Sequence, residues 1–462
     1  MIGIALVFLG GVVTLFLGLN KEESKSLWIL RFFMLLSAVL SGAESQGWID
    51  FSNLFKWVPS HMLSFNAFKL SMVSILSFFG FFILSLLPSS QKKGADVLGL
   101  FAFALTGAMM MVGSQHLVML FLGLEVLSIP LFVLAGSEKE DIYGNEAAMK
   151  YFLMGAFSTA IFLLGAAYTY GGSGTLILAE IQMKLSFAAH FGEFPVLLKA
   201  GVILMSVGLL FKVSAVPFHF WSPDVYEGSP NRVATFMAVI VKVAGFVAFA
   251  QLINTFSPMQ IWINQWIVPV SILTILAGNI AALVQKTVKR TLAYSSISHA
   301  GYLLLFLILP MEENLPILGT YLLSYGLGTI ILFYLMDKYS ADGEKSFEMY
   351  KNIRNNKIDL AALVIGTLSI AGVPSTIGFV AKYQLFSAAF SQNHYSVYLA
   401  LLGSAISIAY YFKPFRYAFA ESNEVDVKHV SNDGLFTQIC LLTGMLLIIS
   451  LGLLPMITER IF

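Results

Sequence analysis

Five ionisable side chains interrupt runs that are otherwise apolar. They are Glu125 in VMLFLGLEVLSIPLFVLAG, Lys150 in NEAAMKYFLMGAFSTAIFLLG, Lys212 in LLFKVSAVPFHFWSPDVYEGSP, Lys242 in FMAVIVKVAGFVAFA and Lys382 in LSIAGVPSTIGFVAKYQLF. A lysine at bilayer depth costs about 2.5–3.5 kcal/mol on insertion scales, so such residues face a protein interior or water and mark an ion path. Ammonium, carboxylate and imidazole groups bind and release protons, and proton transfer is the chemistry this set could perform. His299 in YSSISHAGYLLL and His219 in VPFHFW could bridge the lysines through hydrogen-bonded water, since histidine titrates nearest neutral pH.

Each residue also has a plainer reading. Glu125 lies about midway through its run, five residues before Pro130. It could simply pair with a lysine to hold two helices together; a pair that opens and closes would also change its partner's proton affinity, because the two titrate as a unit. Lys150 stands a turn or two inside the cytoplasmic end of its run and could snorkel to the interface. Lys242 is near mid-span with no acidic residue within one turn, which leaves its charge without local compensation. Lys382 could snorkel toward the outer face. A lone histidine is commonly a satisfied packing residue.

Two prolines mark breaks. Pro217 follows Lys212, lacks an N–H and clashes with the carbonyl four residues back, that of Val213. A carbonyl freed inside a membrane needs a partner, and water is the expected one. Pro374 precedes Lys382, and Gly372 and Gly378 around it permit local unwinding.

The elements that must position these groups are membrane spans. The 462-residue chain is 58% hydrophobic and 11% charged, with mean hydropathy +0.81, whereas soluble proteins carry about 25% charged residues. Spans of about 20 apolar residues fall near 1–19, 27–43, 62–87, 95–113, 115–136, 144–170, 196–222, 231–254, 261–284, 291–310, 315–338, 359–391, 395–420 and 432–458. The chain is thus expected to be an all-α polytopic membrane protein with about fourteen transmembrane helices, broken at the seventh and twelfth. The run Met1 to Leu19 lacks a basic n-region and reads as the first span rather than a cleaved signal.

With the N-terminus outside, 18 of the 27 basic residues fall in inside loops, four within spans and five outside, Lys69 among the last. By the positive-inside rule both termini are expected outside. The reversed order of proline and lysine in the two broken spans suggests inverted repeats, 95–254 and 261–420, of five spans each. A three-helix segment (1–94) precedes them and one helix (421–462) follows. Interrupted helices at corresponding positions of inverted halves point to a transport site.

A single cysteine, Cys440, leaves no disulfide framework, four-cysteine iron–sulfur site or CxxC motif in this chain. A formal net charge of +1 gives no argument for nucleic acid. The GGSG at Gly171 to Gly174 reads as a turn, LILAEIQ and FAAHF as pieces along the membrane surface, and the many aromatics as packing.

FLGLEVLSIPLFVLAG, EAAMKYFLMGAFSTAIFLLG, LLFKVSAVPFHFWSPDVYEGSP, KRTLAYSSISHAGYLLL and LSIAGVPSTIGFVAKYQLF make the chain resemble the antiporter-like proton-pumping subunits of respiratory complex I. PFHFW-PDVYEG-P points to the N-subunit branch. The resemblance implies that Glu125 is the fifth-span carboxylate, Lys150 the sixth-span lysine, Lys212 the lysine of the broken seventh span, Lys242 the eighth-span lysine of a hydrophilic axis and Lys382 the lysine of the broken twelfth, where the M subunit carries a glutamate. No long C-terminal lateral helix of the L-subunit kind is evident.

It further implies a proton translocator with no cofactor in this chain, lying in a bacterial inner (plasma) membrane. NADH, FMN, iron–sulfur clusters and quinone would reside in partner subunits. The membrane partners would be the M and L subunits and the small K, J and A subunits. A cation/proton antiporter subunit, a non-transporting scaffold and a stand-alone solute transporter are the alternatives.

Overall fold

The computed structural model describes residues 1–19, 23–87, 94–138, 140–190, 194–340, 346–420 and 433–462. Lys21, Lys92, Lys93, Lys139, Lys345 and Lys428, all expected in inside loops, lie outside them. Helices α1 (Ile2–Leu19), α2 (Glu23–Ser45), α3 (Ala67–Leu86), α4 (Ala95–Gly113), α5 (Leu117–Ala135) and α6 (Ile142–Ser173) cross in turn. Next come α7 (Leu178–Ala189), α8 (Val196–Lys212), α9 (Trp221–Gly228), α10 (Asn231–Thr255), α11 (Gln260–Val284), α12 (Val288–Phe306) and α13 (Met311–Tyr339). Helices α14 (Lys357–Ala371), α15 (Ile377–Gln392), α16 (His394–Tyr411), α17 (Lys413–Ala418), α18 (Leu435–Leu453) and α19 (Pro455–Ile461) complete the chain.

Eleven of the described helical segments are long and apolar enough to cross a membrane. Adding α12 and the two interrupted pairs, α8/α9 and α14/α15, gives the fourteen crossings expected. Both chain ends lie on one face, as an even number requires. The Met1 ammonium is 4.0 Å from Glu44, and the Phe462 ring packs on Phe68 at the start of α3.

The span boundaries shift where local chemistry intervenes. The 62–87 span begins at Ala67, after Asn66 caps the Lys69 N–H at 2.9 Å. The expected turn at Gly171 to Gly174 belongs mostly to α6, and only Gly174, with φ of +69°, turns the chain. The two surface pieces that follow include a single helix, α7.

Close helix pairs meet through glycine. A Cβ on Gly107 of α4 would lie 2.4 Å from the Leu127 nitrogen of α5, beside Gly123. Gly165 and Gly201 do the same for α6 and α8, and Gly278 and Gly301 for α11 and α12. Gly328 and Gly366 join α13 and α14 more loosely. Lipid tails give apolar helices no reason to associate, so backbone approach of this kind is what packs them.

Cations finish many helix ends. The last carbonyls of a helix have no partner of their own. Arg31 donates to Leu84 O (2.6 Å) and Arg232 to Leu87 O (2.8 and 2.6 Å) at the end of α3. Lys413 donates to Leu283 O (2.5 Å) at the end of α11, and Lys289 to Ser229 O (2.5 Å) after α9. On the face away from the termini, buried Lys338 of α13 binds Asp359 of α14 at 2.6 Å and also Asp433, tying the start of α18 to the bundle.

Replacing Gly165 by leucine drives a side chain into the α8 backbone and should destabilise by about 1–3 kcal/mol. Gly171→Leu, whose Cβ meets only Leu197 at 3.7 Å, should be nearly neutral. Thermal unfolding of the purified membrane protein compares the two.

Candidate functional site

Lys212 is the last residue of α8, so its ammonium sits at the negative end of that helix's dipole. It is buried and donates to Ser128 Oγ of α5 (2.7 Å) and Tyr151 OH of α6 (3.3 Å). After it the chain leaves the helix through Ser214, at φ +60°, and a cis Val216–Pro217 bond. The break therefore falls five residues before Pro217, and the expected clash with the Val213 carbonyl does not arise within a helix. The carbonyl taken up is that of Phe211, by the Trp221 indole N–H at 3.0 Å; the Val216 N–H donates to Thr274 Oγ1 at 3.1 Å.

Lys382 uses the same device from the other side of a break. It stands on α15 and reaches back to Ala371 O, the last residue of α14, at 2.9 Å, and to Ser404 Oγ of α16 at 3.2 Å. Gly372 between the halves has φ +81°, and a Cβ there would lie 2.8 Å from Lys382 Cδ. Pro374 sits within this break, with Ser375 at φ +78°. Lys382 is buried rather than snorkelling outward.

Lys242 lies mid-helix in α10, in the stretch where every residue is buried. Its ammonium donates to the Ser296 carbonyl of α12 and lies 5.5 Å over the Tyr325 ring. One turn along α12, buried His299 takes Tyr321 OH at 2.9 Å on Nδ1 and Tyr411 OH at 3.0 Å on Nε2. Lys242 and Lys382 both act electrostatically on His299.

Buried tyrosines and serines fill the intervals, and these are what a reading of aromatics as packing misses. Tyr151 stacks on Trp221 at 4.7 Å. Tyr226 adjoins Tyr151, Tyr325 and Ser296. Tyr325 OH donates to Ser296 Oγ (3.0 Å), Tyr411 OH contacts Ser295 Oγ (2.5 Å), and the Lys382 ammonium lies 5.2 Å over Tyr302. A buried tyrosine needs a partner for its hydroxyl, and lysines on neighbouring spans were the available sequence signal.

Three expected participants stand apart. No ion pair joins Glu125 to Lys212 among the described residues. The half-buried carboxylate acts on the lysine only through space, while Ser128, one turn on, makes the direct contact. Lys150 is not in the buried row. It is half-exposed, bound to Glu146 (2.8 Å) and Asp224 (3.0 Å), with Arg290 on Asp224 and Glu227 (3.0 and 2.8 Å), around a cleft of about 450 Å³. A long side chain that can reach water and carboxylates there does so. His219 lies in the first break against exposed Phe220 and bonds to none of the lysines. Among the described residues no cluster of His, Cys, Asp and Glu could hold a metal ion.

Fold and site define a membrane protein of the antiporter-like class. Residues 114–407 match the family described as NADH:quinone oxidoreductase/Mrp antiporter, TM, and the chain belongs to that family. At close to full length it is similar to NADH-quinone oxidoreductase subunit N of Cytophaga hutchinsonii, with 37% identity over 87% of each chain. It is also similar to subunit N 2 of Thermodesulfovibrio yellowstonii, with 32% identity over 96% of this chain and 95% of the other. A chain of respiratory complex I from Thermus thermophilus superposes with a TM-score of 0.79 at 30% identity, covering 98% of this chain and 97% of that one. A chain of an archaeal membrane-bound sulfane sulfur reductase shares the fold at TM-score 0.85 and 22% identity, covering 99% and 95%.

Tyr411→Phe leaves His299 Nε2 and Ser295 without their hydroxyl partner. An unsatisfied buried group costs about 1–3 kcal/mol. The variant should unfold at a lower temperature, whereas Tyr398→Phe, at a position 55% exposed, should not.

Proposed function

We propose that this chain is a proton-translocating membrane subunit of an NADH–quinone oxidoreductase, in which partner subunits oxidise NADH and reduce quinone. The observation that carries the reading is the set of three buried ammonium groups, Lys212, Lys242 and Lys382. None has an ion-pair partner among the described residues, and hydroxyls, helix-end carbonyls and His299 surround them. Lys338, by contrast, is buried against the carboxylates of Asp359 and Asp433. Full-length similarity to N subunits favours this reading over a subunit of a cation/proton antiporter, which the family also includes.

On this reading protons pass between Lys212, Lys242, His299 and Lys382 along hydroxyls and bound water. Thr367 and Ser369 are buried with hydroxyls that have no hydrogen-bond partner among the described residues, and such groups are where ordered water binds. Beside Lys212 a cavity of about 10 Å³ lies between α5, α6 and α8, near the lower limit for one water. Glu125 sets the proton's hold on Lys212 through space. Moving the carboxylate away removes attraction at that ammonium and favours release toward Lys242. Lys150, with its cleft and carboxylates, gathers protons at the surface on the face opposite the termini.

FMN, iron–sulfur clusters and quinone belong to partner subunits. The M and L subunits and the small K, J and A subunits are the membrane neighbours. The membrane is a bacterial inner membrane with both termini outside. Residues 95–254 and 261–420 form two inverted repeats; this is supported by the glycine-packed pairs, which recur in the same order in both, and by a buried lysine beside each break.

Two substitutions test the role of Lys212 in complex reconstituted into vesicles. General acid–base groups contribute roughly 10²–10⁴-fold. Lys212→Ala should lower NADH-driven vesicle acidification at least about tenfold, with NADH–ferricyanide activity retained. Lys212→Arg keeps the charge but holds its proton permanently, and should fail as badly. Wild-type pumping by either variant would remove Lys212 from the path.

A further inference from the structure

On the face that carries both termini, a cavity of about 240 Å³ lies between the start of α3, the α4–α5 turn, α7, the end of α10 and the start of α13. Lys69, the third residue of α3, lines it. Counted from sequence as an outer flank, this lysine is instead only 8% exposed, and its ammonium forms no hydrogen bond or ion pair among the described residues. None of the described residues lining the cavity is a carboxylate. The lysines of the axis are held by hydroxyls and carbonyls, whereas this one borders the cavity.

The rest of the wall offers donors. The side-chain amides of Asn66, Gln115 and Asn254 border the cavity, and no side-chain N–H of theirs has a partner among the described residues. First turns of three helices meet there, through Phe68 of α3, Ala179 of α7 and Met311 of α13. Helix N-termini present free N–H groups and partial positive charge. The ends of α4 and α10 also reach the cavity, and several of the carbonyls there are engaged. Val112 O accepts Gln251 Nε2 (2.6 Å), Met111 O accepts Ser114 Oγ (2.9 Å), Gly113 O accepts Ser64 N (2.9 Å) and Gln251 O accepts Thr255 Oγ1 (3.0 Å).

We infer that this cavity is an anion site that takes one phosphate-type oxyanion on Lys69, with the amides of Gln115 and Asn254 as further donors. The inference is independent of the proton path. The oxyanion could be free phosphate or the phosphate of an anionic lipid headgroup, which offer the same oxygens.

The test uses the purified, delipidated complex with two probes, radiolabelled inorganic phosphate and dihexanoyl phosphatidylglycerol. The wild type should bind one equivalent of at least one probe per copy of this chain. A charge-assisted hydrogen bond is worth about 1.5–3 kcal/mol, so Lys69→Met should weaken binding at least about tenfold. Lys69→Arg should retain it within about threefold, and NADH–quinone activity should be unchanged in both. Should Lys69→Met fail to assemble, Asn254→Leu at the half-buried rim should weaken binding about threefold. Phosphate bound without phosphatidylglycerol identifies a free-anion site, and the reverse a headgroup site; either supports the inference. Binding of neither probe, or binding unaltered by Lys69→Met, overturns it. So does Lys69→Met releasing a partner subunit with neither probe bound, which would make the occupant a protein carboxylate.

Discussion

The structure depends on an exchange between two groups that hydrocarbon does not tolerate, the bare carbonyls at a helix C-terminus and the ammonium or guanidinium of a basic side chain. Each satisfies the other. Arg31 and Arg232 close α3, Lys413 closes α11 and Lys289 closes α9. Breaking a helix in mid-membrane extends the same exchange to bilayer depth, because each break creates a new carbonyl end. Lys212 occupies one such end and Lys382 reaches for the other. At the second interruption, 372–376, the freed Ala371 carbonyl is an acceptor for Lys382, whereas Lys212 at the first, 213–220, is held by the hydroxyls of Ser128 and Tyr151.

Strain gathers at the same places. Ser214 and Ser375 both take φ values near +60° to +80°, a region that costs a side-chain-bearing residue about 1–2 kcal/mol. Off-pattern backbone of this kind survives where surrounding contacts over-determine it. At the first break those contacts are the Trp221 indole on Phe211 O and the Thr274 hydroxyl on the Val216 N–H. At the second, Gly372 takes φ +81° and leaves room for the Lys382 stem.

The fold was largely legible because lipid makes a simple demand on each span, and the apolar runs meet it one by one. The buried lysines were legible for the converse reason, since a charge inside such a run is conspicuous. What surrounds them was not. Tyr151, Tyr325 and Tyr411 look like packing until the helices are assembled, and Ser128 is an ordinary small residue until Lys212 lies beside it. Charge marks Glu125 as a partner for a lysine but gives no sign of the Ser128 hydroxyl one turn away, which makes the direct contact with Lys212. Lys150 takes the snorkelling alternative, whereas Lys69 lies deeper than its place at a span flank suggests. One was close enough to the surface for a flexible stem to reach carboxylates, and the other, near a helix start, was covered by α7 and α13, whose positions no local pattern reveals.

The glycine contacts also divide the bundle mechanically. Where backbones touch, as in α4 with α5 and α6 with α8, two helices behave as one stiff plate. Lys212 and Tyr151 ride on the same plate, and Ser158 of α6 bonding to Gly208 O of α8 at 3.2 Å locks it further. Ser128 and Glu125 ride on the neighbouring one. A shear of one plate past the other therefore leaves the lysine–tyrosine contact intact and changes its distances to both the serine and the carboxylate together. Sliding of less than an ångström at that boundary is a displacement the ammonium group would register at once.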